Sequence, residues 1–246
     1  MGLCLLTELK GVFDNENLDY LNTVVLYVNA QSQNDDALRF SISPLAGQSL
    51  DAIIKDDVAV FYDSNNQFTS PYGRTAKIVG ISSLTDDGKQ IVDAGMGNYK
   101  ILVRNSPGLD NMYLGSSISV NLKSLKKSIG LTSINARTGV LQCVGDIANL
   151  SNLVEMTSVQ LGGAECVGNL ASLAKCIKLT LLNINTSGIT SSDGTMTPLF
   201  AGMVANGRNS GQMRVVSNAN LGTAGANVDV VFYPVSPEHP NGYEIA

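Results

Sequence analysis

Two segments of the chain, QCVGDIANLSNL at Gln142–Leu153 and ECVGNLASLAKC at Glu165–Cys176, are copies of one pattern. Both contain Cys-Val-Gly, then Asp or Asn, then Ile or Leu, and both place Ala and Leu again at matching later positions. The copies start about 23 residues apart, a period at which repeat proteins stack similar units on one another. The chain is therefore predicted to contain stacked repeats.

A short strand-like phrase precedes each copy. The phrases are LTSINA from Leu131 and MTSVQL from Met156, with LTLLNI from Leu179 as a further member and LDNMYL from Leu109 as a rougher one. Their starts lie about 22, 25 and 23 residues apart, inside the range of about 20 to 29 residues of leucine-rich repeats. Alternating apolar residues place one face of each strand in a core, and stacked units would pair these strands in a parallel sheet.

The second phrase of each unit spaces its apolar residues by three, as in Ile147, Leu150 and Leu153, which is typical of a turn-rich or helical face. After Gly188 the pattern gives way to a segment in which Pro198 and the apolar residues after it predict a longer closing helix.

The segments on either side of the repeats have other periodicities. From Thr23 to Val103 the chain alternates as β-strands do, and MRVVSNAN and VDVVFYPV after Gly207 predict strands that close the stack. We therefore predict an α+β fold with four parts. They are an N-terminal helix and linker (1–22), an antiparallel β-sheet domain (23–105), a short leucine-rich-repeat-like solenoid (106–210) and a C-terminal β cap (211–246).

The predicted N-terminal helix is amphipathic and is too short to be stable alone in water. It therefore needs either its own domain or a partner to hold it. Its apolar residues at helical spacing are Leu5, Leu6, Leu9, Val12 and Phe13.

Charge and composition exclude several classes of function. A formal net charge of -5 argues against a nucleic-acid partner, because phosphate binding needs clustered Lys and Arg. His239 is the only histidine, and the four cysteines form no CxxC pair, so we expect no metal site and interpret the cysteines as small buried hydrophobic residues. The sequence contains no run of about 20 apolar residues, so we expect no insertion in a membrane.

No catalytic motif is present in the sequence. There is no G-x-S-x-G, P-loop or H-E-x-x-H pattern, and the pair Asp86 and Asp87 lies in a predicted turn. An enzyme acting on glycans remains an alternative, but it would need two carboxylates at a defined separation, and no such pair can be nominated. We expect no enzyme activity, no catalytic residue and no cofactor.

The outer positions of the repeat strands carry uncharged polar residues in a row. Such a row suits a carbohydrate or a protein surface, and it suits a purely structural stack equally well. The candidate ligand face consists of Asn111, Ser133, Asn135, Ser158, Gln160, Thr180 and Asn183.

Several phrases together resemble those of a known family. They are LLTELKGVFDNENLDYL, NYKILVRN leading into LDNMYLG, the CVGDIANLSNL unit, and the final NGRNSGQMRVVSNAN, VDVVFYPV and NGYEIA, in that order along the whole chain. In this order they resemble leucine-rich-repeat proteins of tailed phages of gut Bacteroidetes, crAss-like phages included. Regular G-D-I repeats are usual there, whereas this chain has one full copy, at Gly145, and VGNL in the next unit.

The resemblance implies a non-enzymatic virion structural protein. It would be a capsid-attached head fibre or decoration protein, made in the bacterial host cytoplasm and displayed on the exterior of the phage particle. The resemblance also implies that the N-terminal segment docks on the particle, so Leu5, Leu6, Leu9, Val12 and Phe13 are the predicted docking residues. Its partners would be other capsid or tail proteins, and symmetric particles favour a homo-oligomer, a dimer or a trimer. The alternative is a tail or baseplate fibre adhesin for host attachment, which binds host or mucosal polysaccharide through the repeat face.

Overall fold

The structure is a computed structural model that describes residues 23–30, 39–45, 51–55, 67–69, 75–77, 90–93, 97–104, 106–115, 118–136, 143–221 and 227–246. Its one described α-helix is Thr197–Ala205, and short 3-10 helices occur at Ser106–Gly108, Leu122–Leu125, Ile147–Leu150, Leu170–Leu173 and Ala219–Leu221. The strands are β1 (Thr23–Ala30), β2 (Arg39–Pro44), β3 (Asp51–Lys55), β4 (Gln67–Thr69), β5 (Thr75–Lys77), β6 (Gln90–Asp93), β7 (Gly97–Arg104), β8 (Leu109–Leu114), β9 (Ile118–Asn121), β10 (Ser133–Ala136), β11 (Cys143–Asp146), β12 (Ser158–Leu161), β13 (Cys166–Val167), β14 (Leu181–Asn183), β15 (Gln212–Val216), β16 (Asn227–Phe232) and β17 (Tyr243–Ile245).

Two sheets contain most of these strands and share one hydrophobic core. In the long sheet the order is β17-β16-β15-β14-β12-β10-β8-β2-β6, and in the short sheet it is β13-β11-β9-β1-β7-β3. Strands β4 and β5 pair only with each other within the described ranges. The repeat strands form the middle of the long sheet, from β14 to β8, and one end of the short sheet, from β13 to β9.

The repeats form stacked coils. The coils that begin with β8, β10 and β12 each contribute one strand to the long sheet, one strand to the short sheet and one 3-10 helix, as in β10, β11 and Ile147–Leu150. Strands β8, β10, β12 and β14 pair in parallel, and so do β9, β11 and β13. In the long sheet the pairing follows the repeat, so equivalent residues of successive coils lie side by side in rows along the stack. In the short sheet the pairing is offset by two residues, as in Gly145 beside Cys166.

Buried rows of aliphatic side chains fill the space between the two sheets. Residues of the long sheet alternate, so that every second side chain points into the core. One buried row crosses five strands of this sheet and consists of Met112, Ile134, Val159, Leu182 and Val215. The 3-10 helices bury a second set from the opposite side, namely Leu122, Leu125, Ile147, Leu150, Leu170 and Leu173. Each fully buried side chain of this size stabilises the fold by about 1.5–3 kcal/mol.

A capping residue starts each of the three 3-10 helices of the repeats. The side chains of Asn121, Asp146 and Asn169 each accept a hydrogen bond from the backbone N–H two residues later, at 3.0, 2.8 and 2.9 Å. These three residues, the cap row, occupy equivalent positions in successive coils. The Asp or Asn of the repeat pattern therefore satisfies a backbone donor that the short helix leaves without a partner.

The glycine before the cap residue permits the coils to approach one another. Gly168 has a φ of 112°, which disfavours any residue with a Cβ. A Cβ on Gly168 would also lie 2.1 Å from Oδ1 of Asp146 in the preceding coil. Gly145 has a similar φ of 110° but leaves 3.7 Å to the nearest atom, Oδ1 of Asn121. Gly168 is thus constrained both by its backbone conformation and by the cap of its neighbour.

The predicted α+β fold class is wrong. The described residues are mostly β-strand, and their single α-helix has nine residues. The second phrase of each repeat is too short for an α-helix and forms a four-residue 3-10 helix instead. The antiparallel strands are also not a separate sheet, because β1 pairs with β9 and β2 pairs with β8. They extend both repeat sheets and supply hydrogen-bond partners for the first coil, whose strands would otherwise be unpaired edges.

The predicted N-terminal helix lies outside the described residues, and the four domain boundaries stay predictions. At the other end of the stack, β15 pairs in parallel with β14, and β16 and β17 continue the sheet antiparallel. The helix Thr197–Ala205 buries Phe200 against this end, where the ring contacts those of Phe232 and Tyr243. The last coil is thereby covered by a helix and two antiparallel strands.

The stability of Gly168→Ala tests the close approach of the coils. We expect a loss of about 2–5 kcal/mol of unfolding free energy, because the change combines a strained φ with a clash against Asp146. Gly211→Ala is the matched control, since Gly211 has a φ of 87° and nothing within 4 Å of its added Cβ. It should lose about 1–2 kcal/mol. Urea unfolding measures both, and equal losses would mean that the contact with Asp146 does not matter.

The cysteines of the repeats give a second prediction. Cys143, Cys166 and Cys176 are buried free thiols, and burial raises the pKa of Cys176 to about 11. Burial also raises the pKa of Cys143, with Cys166 beside it as a further cause. In a Cys4→Ser variant at pH 8, no thiol should react quickly with a chromogenic disulfide reagent until urea unfolds the chain. Rapid reaction of the folded variant would contradict the described core.

Candidate functional site

The outward side of the long sheet carries two polar rows. Alternation along each strand makes these residues point away from the core, between the buried residues described above. The serine row consists of Asn111, Ser133 and Ser158, in register across β8, β10 and β12. The amide row begins at Tyr113 and continues through Asn135, Gln160 and Asn183, in register across β8, β10, β12 and β14. These seven residues are called the polar face.

Most hydrogen-bonding groups of the polar face are not used within the fold. No hydrogen bond joins the side chain of Ser133, Ser158 or Gln160 to another described residue. The Oδ1 atom of Asn135 is buried and has no partner in the described part of the chain. Asn183 differs, because it is nearly buried and its Oδ1 accepts a hydrogen bond from the backbone N–H of Asn185 at 3.3 Å.

A neighbouring row of threonines shows the opposite behaviour. The hydroxyl of Thr132 donates to the carboxylate of Asp110 at 2.7 Å. The hydroxyls of Thr157 and Thr180 each donate at 3.1 Å to the carbonyl oxygen of the threonine in the preceding coil. Thr132, Thr157 and Thr180 are called the threonine row, and their hydrogen bonds connect each coil to the preceding one. The hydroxyls of the threonine row thus have partners, whereas the side chains of Ser133, Ser158 and Gln160 have none among the described residues.

One predicted ligand residue, Thr180, belongs to the threonine row and not to the polar face. The sequence places it in line with Ser133 and Ser158, but the residue in register with Ser158 is Leu181. Thr180 precedes β14 and lies beside Thr157, with its hydroxyl already donating inside the stack. The polar face therefore brings together six of the seven predicted ligand residues and leaves Thr180 in the adjacent row.

Sequence reasoning missed two features of this face. Tyr113 lies two residues after Asn111 on the same strand, so alternation alone would have placed it on the face, where its side chain is 42% exposed. The second feature is an ion pair at the end of the serine row, where Arg214 follows Leu181 in register and Asp229 follows Arg214. This pair depends on an antiparallel pairing that no repeat pattern predicts.

The ion pair is bidentate and borders an open depression. Nε and an Nη atom of Arg214 donate to the two carboxylate oxygens of Asp229 at 3.0 and 3.3 Å. The hydrogen bond from Arg214 lowers the pKa of Asp229, and its reciprocal raises the pKa of Arg214. The depression has a volume of about 780 Å³ and is lined by Thr180, Gln212, Met213, Arg214, Asp229, Val230, Val231 and Ala246. It continues the polar face toward β16.

A second arginine is buried and has a structural role. Arg208 is 6% exposed and donates hydrogen bonds to the carbonyl oxygens of Leu179 and Gln212, while its guanidinium lies 3.9 Å from the ring centre of Phe232. Burial lowers the pKa of Arg208 to about 10. The side chain joins the closing helix to the last coil and to β16.

His239 is held in a C-terminal turn. Its ring stacks on Tyr233 at 3.9 Å, and Nδ1 lies 3.0 Å from a carboxylate oxygen of Glu244. The hydroxyl of Ser236 accepts from the backbone N–H of His239, so this serine contacts the backbone rather than the ring. These contacts fix the turn, and they give no arrangement of nucleophile and base.

The described residues contain no group of three His, Cys, Asp or Glu side chains that could hold a metal ion. None of their helices has the length and apolar character needed to cross a membrane. The predicted docking residues Leu5, Leu6, Leu9, Val12 and Phe13 lie outside them. The polar face is therefore the candidate functional site that the structure describes.

Comparison with known proteins gives no match, since no family model, no curated protein and no solved structure matches the chain.

A pair of neighbouring substitutions tests the contrast between the rows. Thr157→Val keeps the shape of the side chain but removes its hydrogen bond to Thr132, so we expect a loss of about 0.5–1.5 kcal/mol of unfolding free energy. Ser158→Val removes a hydroxyl with no partner in the fold and adds a residue that favours strands, so stability should stay within about 0.5 kcal/mol or increase. Urea unfolding of both variants measures the difference. A larger loss for Ser158→Val would refute the assignment of the two rows.

Proposed function

We propose that the protein is a non-enzymatic structural component of a phage particle, a capsid-attached head fibre or decoration protein that docks through its N-terminal segment. The observation that carries the proposal is the resemblance described above, in which short phrases occur in the same order along the whole chain. Its partners would be capsid proteins and further copies of the chain, as a dimer or trimer on the exterior of the virion.

The fold is suited to such a role. Both sheets continue from the strands before the repeats into the stacked coils, through the β1–β9 and β2–β8 pairs. Backbone hydrogen bonds therefore run across consecutive strands without a break between these parts, which favours a stiff element that keeps its shape on a particle surface. The threonine row adds side-chain bonds along the same direction.

A tail or baseplate fibre adhesin is the second candidate. The polar face favours it, because the side chains of Ser133, Ser158 and Gln160 make no hydrogen bond with a described residue and could bind a host or mucosal polysaccharide. The two candidates differ in where the chain is attached to the particle. Gold labelling of a C-terminal tag on intact particles would distinguish them, with label on the head supporting the first and label on the tail supporting the second.

Deletion of residues 1–13 tests docking. The truncated chain should fold with an unchanged unfolding midpoint but should be absent from purified particles, because the apolar residues that we expect to dock are removed. Mass spectrometry of particles measures the copy number.

Substitutions test whether docking depends on the apolar side chains of residues 1–13 or only on the presence of the segment. Replacing Leu6, Leu9 and Phe13 with Ser should also prevent incorporation, whereas Glu8→Gln with Lys10→Gln is the control and should be incorporated normally. Normal copy numbers of the truncated chain would show that docking does not use this segment.

A further inference from the structure

We infer that the polar face binds an uncharged glycan chain that crosses the strands of the long sheet along the amide row. This inference rests on the second candidate function and specifies its ligand class and its contacts. The residues that would contact the ligand are Tyr113, Asn135 and Gln160, with Ser133 and Ser158 beside them.

The first argument is the availability of hydrogen-bonding groups. Sugar hydroxyls both donate and accept, and an Asn or Gln amide offers both functions in one planar group. Gln160 makes no side-chain hydrogen bond with a described residue, and neither do Ser133 and Ser158. Amide side chains are also poor strand residues compared with Val or Ile, so their presence at successive positions of the row adds nothing to the sheet itself.

The second argument is the geometry of the row. Neighbouring strands are about 4.8 Å apart, so equivalent side chains of successive coils repeat at that distance. One sugar unit of an extended glycan has a similar length, and a polymer lying across the strands would meet one coil with each unit. Tyr113 stands at the start of the amide row with an exposed ring, against which the apolar side of a pyranose can pack.

The third argument is charge. The residues of the two rows carry no charge at neutral pH, and at the far end Arg214 and Asp229 neutralise each other. The whole chain has a formal charge of -5, which disfavours an acidic polysaccharide or a nucleic acid. A protein partner is disfavoured as well, because the core of such an interface is apolar and aromatic, whereas this face has a single exposed ring.

The depression beside Arg214 and Asp229 lies at the end of the serine row. It continues the sheet surface past Leu181 and has the volume of a small ligand site, at about 780 Å³. Thr180, Gln212 and the ion pair line it with groups that hydrogen-bond to hydroxyls. The end of a glycan chain that contacts the serine row as well could lie there.

Binding of the full chain to an array of neutral oligosaccharides and to immobilised mannan, glucan and galactan tests the inference. Polygalacturonate and heparin are the charged probes. We expect binding to at least one neutral polymer that is insensitive to salt, and none to the charged probes. Asn135→Ala and Gln160→Ala should each weaken that binding about three- to tenfold, and Tyr113→Ala about tenfold, whereas Tyr113→Phe should keep most of it.

Asn152→Ala is the matched control, because Asn152 is an exposed amide in a turn outside the polar face. It should leave binding unchanged, and circular dichroism and urea unfolding would establish that each variant is folded. The inference is overturned if the folded chain binds no neutral glycan, if it binds only the charged probes, or if Asn135→Ala with Gln160→Ala binds as the parent does. In each of those cases the chain would still be incorporated into particles, so the proposed structural role is tested separately.

Discussion

The register between successive coils is the constraint on which the rest of the structure depends. Side chains alternate across a strand with a period of two, so a slip of one residue would turn Val159 and its row outward and bring the amide row into the core. Two features oppose such a slip. They are the hydrogen bonds of the threonine row and the close approach of Gly168 to Asp146 of the preceding coil.

The same register explains how the two ends of the stack are completed. A parallel stack exposes unpaired backbone groups at its first and last coils, and such edges favour aggregation. At the start, β1 and β2 pair antiparallel with β9 and β8 and thereby cover both sheets. At the other end, β15 to β17 and the helix Thr197–Ala205 cover the last coil, with Arg208 buried between them. The antiparallel strands are thus part of the stack, which is the physical reason why a separate α+β arrangement was a wrong prediction.

The sequence predicted local features better than it predicted connections. The apolar positions of the repeats, such as Ile147 and Leu150, are buried because each unit offers one face to its neighbours. The position of Thr180 could also have been found, since LTSINA, MTSVQL and LTLLNI all place Thr second. The pairs β1–β9 and β2–β8 could not, because no pattern marks which strands meet across the chain. Arg208 was equally hidden, since a lone arginine between Gly207 and Asn209 is typical of a surface turn.

Stacking has a consequence for the polar face that a single strand would not have. Because the strands of the long sheet pair in register, one residue of each repeat forms a row with a fixed spacing. The pairing that builds the core therefore also sets the distance between Asn135 and Gln160. The buried, unpartnered Oδ1 of Asn135 costs about 1–3 kcal/mol relative to a satisfied group. The fold gains nothing from that atom, whereas the hydroxyls of the threonine row stabilise their stack directly. Local departures from optimal stability of this kind are expected at functional sites, and here the departure lies in the row that faces outward.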